Sequence, residues 1–319
     1  MEQLFSVVFS TAFFYSILRV TTPILFAAMG AVVANRAGIP NIALEGIMLI
    51  SAFTGMFASA LTHSGAIGLL AAVAIGIAVA GILAFFTLYY RTNVILGGIA
   101  INSLASGGTV FALYLFAHDK GTSASIASEV VPQINIPLLK DIPILGEIFS
   151  GHNLLTYLAI LSVVVVFLML KKTPLGFHIR AVGEDANAAE SVGIHVTRVK
   201  TIALLISGLL AGLGGAFMSM GYVSWFSRDM VAGRGWIAIA AEAMGRSNPI
   251  ATAVTAFLFG AADALSNATG VLGWPSDLVR TIPYCATLLG LIVFSVRLYR
   301  KSSPAVAIKK AAKAAAKAA

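Results

Sequence analysis

Charged positions along this chain fence off long apolar stretches. Ser64–Tyr90, Thr92–Ala117, Asn153–Leu170 and Thr201–Ser227 contain no Lys, Arg, Asp, Glu or His. A helix needs about 20 predominantly apolar residues to cross the hydrocarbon layer of a bilayer. These runs approach or exceed that length and are apolar on every face, so they predict membrane-spanning helices rather than amphipathic surface helices. Shorter runs at Gly46–Thr62, Ser247–Ala262 and Thr281–Val296 extend the pattern. The stretch Leu4–Ala34 is interrupted by Arg19 and by Thr21-Thr22-Pro23. It predicts one long, kinked crossing with Arg19 snorkelling toward a headgroup; two short crossings are the alternative. No basic segment precedes it, so a cleavable signal peptide is not expected. Gly235–Gly245 is too short to span alone and predicts a half-helix, which needs cover from protein or from a water-filled cavity.

Composition excludes the common alternatives. Of 319 residues, 59% are apolar and 11% charged, against about 45–50% and about 25% in soluble domains. That balance rules out an ordinary soluble enzyme, a disordered chain and a disulfide scaffold. The single Cys285 cannot form an internal disulfide. The fold class predicted is all-α: a polytopic transmembrane helical bundle of about 8–10 spans with broken or half helices. One membrane domain covers residues 1–300, and a basic, low-complexity Ala/Lys tail covers 301–319.

The net charge of +8 sits in loops beside the apolar runs and not on a folded polar face, so it does not point to nucleic acid; the Ala/Lys tail reads as a frayed, soluble helix end, with loose contact to anionic lipid as the alternative. Loop 171–200 carries Lys171, Lys172, Arg180, Arg198 and Lys200, and the segment from Arg297 onward is basic without an acid. Both are assigned to the cytoplasm. Arg36 and Arg91 then also lie inside, while loop 118–152 and the N-terminus lie outside. The external loop carries Asp119, Glu129, Asp141 and Glu147 with Pro132, Pro137 and Pro143, which predicts an extended segment with one short helix.

Enzymatic chemistry finds little support. The chain has no phosphate-binding G-x-x-x-x-G-K-[ST] loop, no Cys/His set with metal-ligand spacing and no G-x-S-x-G elbow. His63, His118, His152, His178 and His195 all fall in loops or near predicted membrane boundaries. No catalytic residue, no metal site and no cofactor are therefore expected.

Three places hold candidate chemistry. In the cytoplasmic loop, Glu184 and Asp185 precede helix-favouring Ala186, Ala188 and Ala189, and Gly193 is placed to stop the helix. A helix of two to three turns is marginal alone, which fits a docking element; a solvated connector is the bland alternative. The second place is the set of acids within or beside apolar segments, Glu45, Glu242 and Asp263. Such groups face a bundle interior or an aqueous path. Asn41, Glu45 and Asn102 are candidates to line a path for an uncharged, hydrogen-bonding solute, with Asn41 equally suited to cap the following helix. Glu242 is placed to pair with Arg246 at i, i+4. The third is a small-residue ladder, Gly208, Gly212, Gly215 and Ser219, which lets another helix approach closely. Gly97, Gly98, Gly107 and Gly108 read similarly.

Four stretches carry a family resemblance. Asn35-Arg-Ala-Gly-Ile-Pro-Asn-Ile-Ala-Leu-Glu-Gly46 is the first, and Arg180-Ala-Val-Gly-Glu-Asp-Ala-Asn-Ala-Ala-Glu-Ser-Val-Gly-Ile194 is the second. Ala232-Gly-Arg-Gly-Trp-Ile-Ala-Ile-Ala-Ala241 with Gly245-Arg-Ser-Asn-Pro249 is the third, and Pro283-Tyr284 is the fourth. Together they resemble the permease subunits of bacterial ABC importers for simple sugars, nucleosides and branched-chain amino acids. Pro137–Gly146 tilts the resemblance toward nucleosides. Ala43, Ala186, Glu242 and Ser247 depart from the family pattern, and Glu242 falls beside the pathway. The resemblance implies a multi-pass protein of the bacterial inner membrane that is not itself an enzyme. It implies a paired permease (identical or paralogous), a separate ATP-binding cassette subunit and an extracytoplasmic substrate-binding protein. Glu184–Ile194 would be the coupling helix, with Arg180 and Gly183 shaping its docking surface. Substrate would move by alternating access. An ion-coupled transporter or channel, with Glu45 and Asp263 carrying protons, is the rival class.

Overall fold

Long apolar runs leave the backbone only one way to satisfy its N–H and C=O groups in lipid, the helix. A computed structural model describes residues 10–126, 128–137, 144–271, 281–292 and 296. The start of the N-terminal stretch, Asp141, Pro143, the segment from Arg297 and the 301–319 tail lie outside the described residues.

Seven helices are long and apolar enough to cross a membrane. In chain order they are α1 (Thr11–Arg36), α2 (Leu44–Thr62), α3 (Gly65–Leu88), α4 (Val94–Ala117), α6 (Leu154–Lys172), α9 (Val196–Phe217) and α11 (Pro249–Val271). A π-helical turn at Met218–Tyr222 prolongs α9. The short α10 (Arg234–Gly245) and the described part of the last helix, α12 (Thr281–Ile292), complete the nine apolar segments of the sequence. Between the spans lie α5 (Leu145–Phe149), α7 (Pro174–Glu184) and α8 (Ala186–Ser191).

α1 is the hub. Its stretch from Val20 to Ala34 is buried on all faces, as expected for a helix that is apolar all round and surrounded by others. It packs against α9, α11, α10 and α6, while α9 also packs on α3 and α2. The Thr21-Thr22-Pro23 interruption does not divide α1, which runs through Pro23 as one helix. Thr22 Oγ1 donates to the Leu18 carbonyl at 2.8 Å. Arg19 does not snorkel to a headgroup. Its guanidinium donates to the Tyr222 carbonyl and lies 4.6 Å from the Tyr222 ring centroid.

The loop after α4 forms a two-residue antiparallel pair, β1 (Gln133–Ile134) with β2 (His152–Asn153), enclosing α5. His152 is buried and stacked on Tyr15, and its Nε2 donates to the Ile148 carbonyl at 2.8 Å. Burial pulls its pKa below the ordinary imidazole value, so the ring is held neutral as a packing group.

The glycines of α9 meet their neighbours closely. A methyl on Gly208 would lie 2.5 Å from the Gly76 carbonyl oxygen of α3, and one on Gly212 would lie 3.0 Å from the Ala72 carbonyl. Gly215 abuts the backbone of Met48 on α2. Ser219 Oγ donates to the Ala52 carbonyl at 2.7 Å. Gly98 abuts Ile42 and Ala43, but a Cβ at Gly107 or Gly108 would meet nothing within 4 Å among the described residues.

Candidate functional site

The broken helix α10 is where the polar residues converge. A helix leaves its first N–H groups without intrahelical partners and carries partial positive charge there. At α10 those donors are met by Glu45 from the first turn of α2. Glu45 Oε1 accepts from the Gly233 N–H at 2.8 Å and Oε2 from the Gly235 N–H at 2.7 Å. Only glycine fits at 235, because a Cβ there would lie 2.6 Å from the Glu45 backbone nitrogen. Gly233 adopts φ +80° and turns the chain into the helix.

Two further contacts pin this terminus. Arg234 Nη2 lies 2.9 Å from Asp263 Oδ2 of α11, with both side chains 12% exposed. Tyr284 of α12 donates its hydroxyl to the Ala232 carbonyl at 3.1 Å. Asp263 thus holds a counter-ion and is not a lone proton carrier.

The other proposed pathway residues part company. Asn41 is 2% exposed. Its Nδ2 donates to Ser207 Oγ at 2.9 Å, and its Oδ1 accepts from the Ala43 N–H at 3.0 Å. It ties the α1–α2 link to α9. Asn102 accepts from the Gly46 N–H at 2.8 Å and donates to the Ile42 carbonyl at 2.9 Å, seating the start of α2 on α4. Asn102 and Glu45 therefore both act at the start of α2, while the Asn41 side chain is spent on its bonds to Ser207 and Ala43.

Glu242 lies at the other end of α10 and is 5% exposed. Glu242 Oε1 accepts from Asn35 Nδ2 at 2.8 Å and from Ser247 Oγ at 2.5 Å. The helix ends at Gly245, and Arg246 caps it with a left-handed φ of 54°. Glu242 and Ser247, two departures from the family pattern, are thus partners of each other. Arg36 Nε adds a bond to the Ser247 carbonyl at 2.7 Å.

Loop 171–200 is an elbow of two short helices. α7 runs through Glu184, so Glu184 closes one helix instead of opening the next. Asp185 is the N-cap of α8, accepting from the N–H groups of Asn187 and Ala188 at 2.9 and 3.1 Å. At six residues, α8 is shorter than the two to three turns read from sequence. Its end bonds the Gly193 N–H to the Glu190 carbonyl at 2.9 Å and the Ile194 N–H to the Ala189 carbonyl at 3.0 Å, with Gly193 at φ +88°. This is the glycine-terminated pattern that satisfies the last carbonyls.

Ala189 is buried and Ile194 half-buried, so both anchor the elbow from beneath. Ala188, with Glu190 and Ser191, faces outward. The large apolar groups presented there are Val192, 75% exposed, and Phe177, 54% exposed. Sequence reading missed both, although Val192 sits at a polar surface with no apolar period to explain it. Arg180 lies 4.8 Å from the Phe177 ring centroid. Gly183 abuts the Arg36 carbonyl and comes within 3.4 Å of where a Cβ on Gly38 would stand. The elbow is therefore seated on the link that leads from α1 through Asn41 to Glu45 and α10.

Comparison with known proteins gives the same reading. The family described as branched-chain amino acid transport system / permease component matches residues 13–296. The nucleoside ABC transporter permease NupC of Lactococcus lactis subsp. cremoris is 33% identical over 88% of this chain and 90% of its own length. The guanosine ABC transporter permease NupQ of Bacillus subtilis is 36% identical over 85% of this chain and 88% of its own. A solved ABC transporter of the metal-chelate type, in an inward-facing conformation, shares the fold with a TM-score of 0.53 at 16% identity, covering 94% of this chain and 90% of that one. The chain therefore belongs to the branched-chain amino acid transport system permease family: it is the multi-pass, membrane-spanning permease subunit of an ABC transporter.

Proposed function

We propose that the chain carries a nucleoside inward across the cytoplasmic membrane, with simple sugars as the next class. The single observation that carries the solute class is the similarity, over most of the chain, to permeases named for nucleoside and guanosine transport. A relative from Haloferax volcanii named for glucose, at 32% identity over 81% of this chain, keeps sugars in view. Nucleosides and sugars share a neutral, hydroxyl-rich body, which suits a lining of hydrogen-bonding groups.

In this proposal one membrane domain spans residues 1–300, and loop 171–200 receives the ATP-binding subunit. Asp185, Ala188, Phe177 and Val192 lie on the docking side. Glu184 and Glu190 frame it, and Ala189, Ile194 and Gly193 hold its shape. A second permease chain and an extracytoplasmic binding protein complete the transporter. The chain performs no catalysis and holds no cofactor of its own; ATP is bound by the partner subunit. The seat of Gly183 on the Gly38 turn supports a mechanical route. Motion of the elbow reaches the Glu45 cap through the Asn41 link, and α10 moves with it. Competition experiments test the solute. Uptake of labelled guanosine by the complete transporter in vesicles should be suppressed by excess unlabelled nucleoside and not by leucine; the reverse ranking would overturn the nucleoside assignment.

A further inference from the structure

The segment between the π-turn and α10 holds a carboxylate in a place that lipid does not tolerate. Ser106 lies at the middle of α4, roughly 17 Å from either end of that helix. Its Oγ donates to Asp229 Oδ1 at 2.8 Å, so the Asp229 carboxylate lies level with the middle of α4, while the Arg228 N–H ties the same segment to the Gly121 carbonyl of the loop after α4 at 2.8 Å. Yet its side chain is 50% exposed, and the Arg228 side chain beside it is 65% exposed, with Arg228 Nε 3.5 Å from Asp229 Oδ2. Half-exposed charge facing acyl chains costs several kcal/mol at that depth, and such groups face protein or water instead.

The surroundings agree. α4 is the span least covered by the rest of the chain, and beside Ser106 it presents an exposed Ser103 and Gly107, with open space where a Cβ of Gly107 would be. Asp229 itself adopts a left-handed φ of 49°, held by bonds from Met230 N–H to the Ser227 carbonyl and from Ala232 N–H to the Asp229 carbonyl. The same segment runs on into Gly233 and Gly235 at the Glu45 cap.

We propose that Asp229, supported by Ser106, is the solute-contacting carboxylate of the translocation pathway, accepting hydrogen bonds from vicinal hydroxyls of a neutral ribose- or sugar-type solute. Arg228 beside it donates to carbonyl or ring oxygens. The inference rests on the nucleoside reading above for the solute, and on the exposure of Asp229 and its contact with the middle of α4 for the pathway. A carboxylate retains acceptor sites beyond those used by Ser106 and Arg228. Its position beside the segment entering α10 lets contact with the solute be made and broken as that helix moves.

The test uses the complete transporter in vesicles, with Cys285→Ala as background because Cys285 is itself exposed. In Asp229→Cys, a charged, membrane-impermeant thiol reagent should modify the new thiol in the assembled complex, and saturating guanosine should slow the reaction. No modification would overturn the pathway position, whatever the solute proves to be. In Asp229→Asn, at matched membrane amounts, uptake of guanosine at low concentration should fall at least about tenfold, the factor expected from one charge-assisted hydrogen bond. The preference for guanosine over its 2′,3′-dideoxy analogue should collapse. Ser106→Ala should shift the same preference less. Unchanged preference in Asp229→Asn would overturn the proposed contact. Absence of nucleoside uptake by the unmodified transporter would instead overturn the solute assignment, leaving the labelling result to decide the pathway.

Discussion

Arg234 and Asp263 illustrate what a charge inside an apolar bundle requires. Each is 12% exposed and each is the other's counter-ion. Removing one leaves the other buried and unpaired, which costs about 3–5 kcal/mol, whereas removing both is far less damaging. Asp263→Ala should therefore lower the melting temperature of the purified protein more than the double variant Arg234→Ala/Asp263→Ala does. A double variant as unstable as the single one would show that the pair is not what holds α10. At this scale the sequence disclosed which residues are polar in an apolar setting but not their partners. Asn41 and Asn102 look alike in sequence. One is turned to Ser207 and the other to the backbone of Ile42 and Gly46, a choice made by tertiary packing. Asp229 escaped notice because it sits in a loop, and the contact of that loop with the middle of α4 is visible only in three dimensions.

At the scale of elements, the spans were legible because a charge-free run of membrane length has one stable conformation in lipid. The half-helix was legible from its shortness. The elbow was legible only in part. Local signals identified a cap at Asp185 and a stop at Gly193, but α7 continues through Glu184 because Gly183 is accommodated against the Arg36–Gly38 turn, a contact distant in sequence. The elbow also sorts its residues by face. Val192→Glu should leave the melting temperature and membrane insertion unchanged while cutting ATP-dependent uptake at least about tenfold, the effect of a charge at the centre of an apolar contact. Ala189→Glu should lower the melting temperature as well, because Ala189 is buried. Full uptake in Val192→Glu would remove this face from the coupling surface.

Across the whole molecule, one chain of contacts joins the α7–α8 elbow to the start of α10. Gly183 rests on the Arg36–Gly38 turn, Asn41 anchors the link to α9, and Glu45 caps α10, whose far end returns to Asn35 and Arg36 through Glu242 and Ser247. Nothing in this circuit supplies energy. The sequence contains no nucleotide-binding loop, and the two acids that an ion-coupled carrier would use are both engaged, Glu45 with the Gly233 and Gly235 N–H groups and Asp263 with Arg234. The account therefore places the motor in another subunit. The most direct measurement is solute uptake by proteoliposomes assembled with and without the ATP-binding subunit, at fixed amounts of permease and binding protein. The account predicts concentrative uptake of guanosine only when that subunit and ATP are both present. Concentrative uptake by the permease without them, driven by an ion gradient, would contradict it.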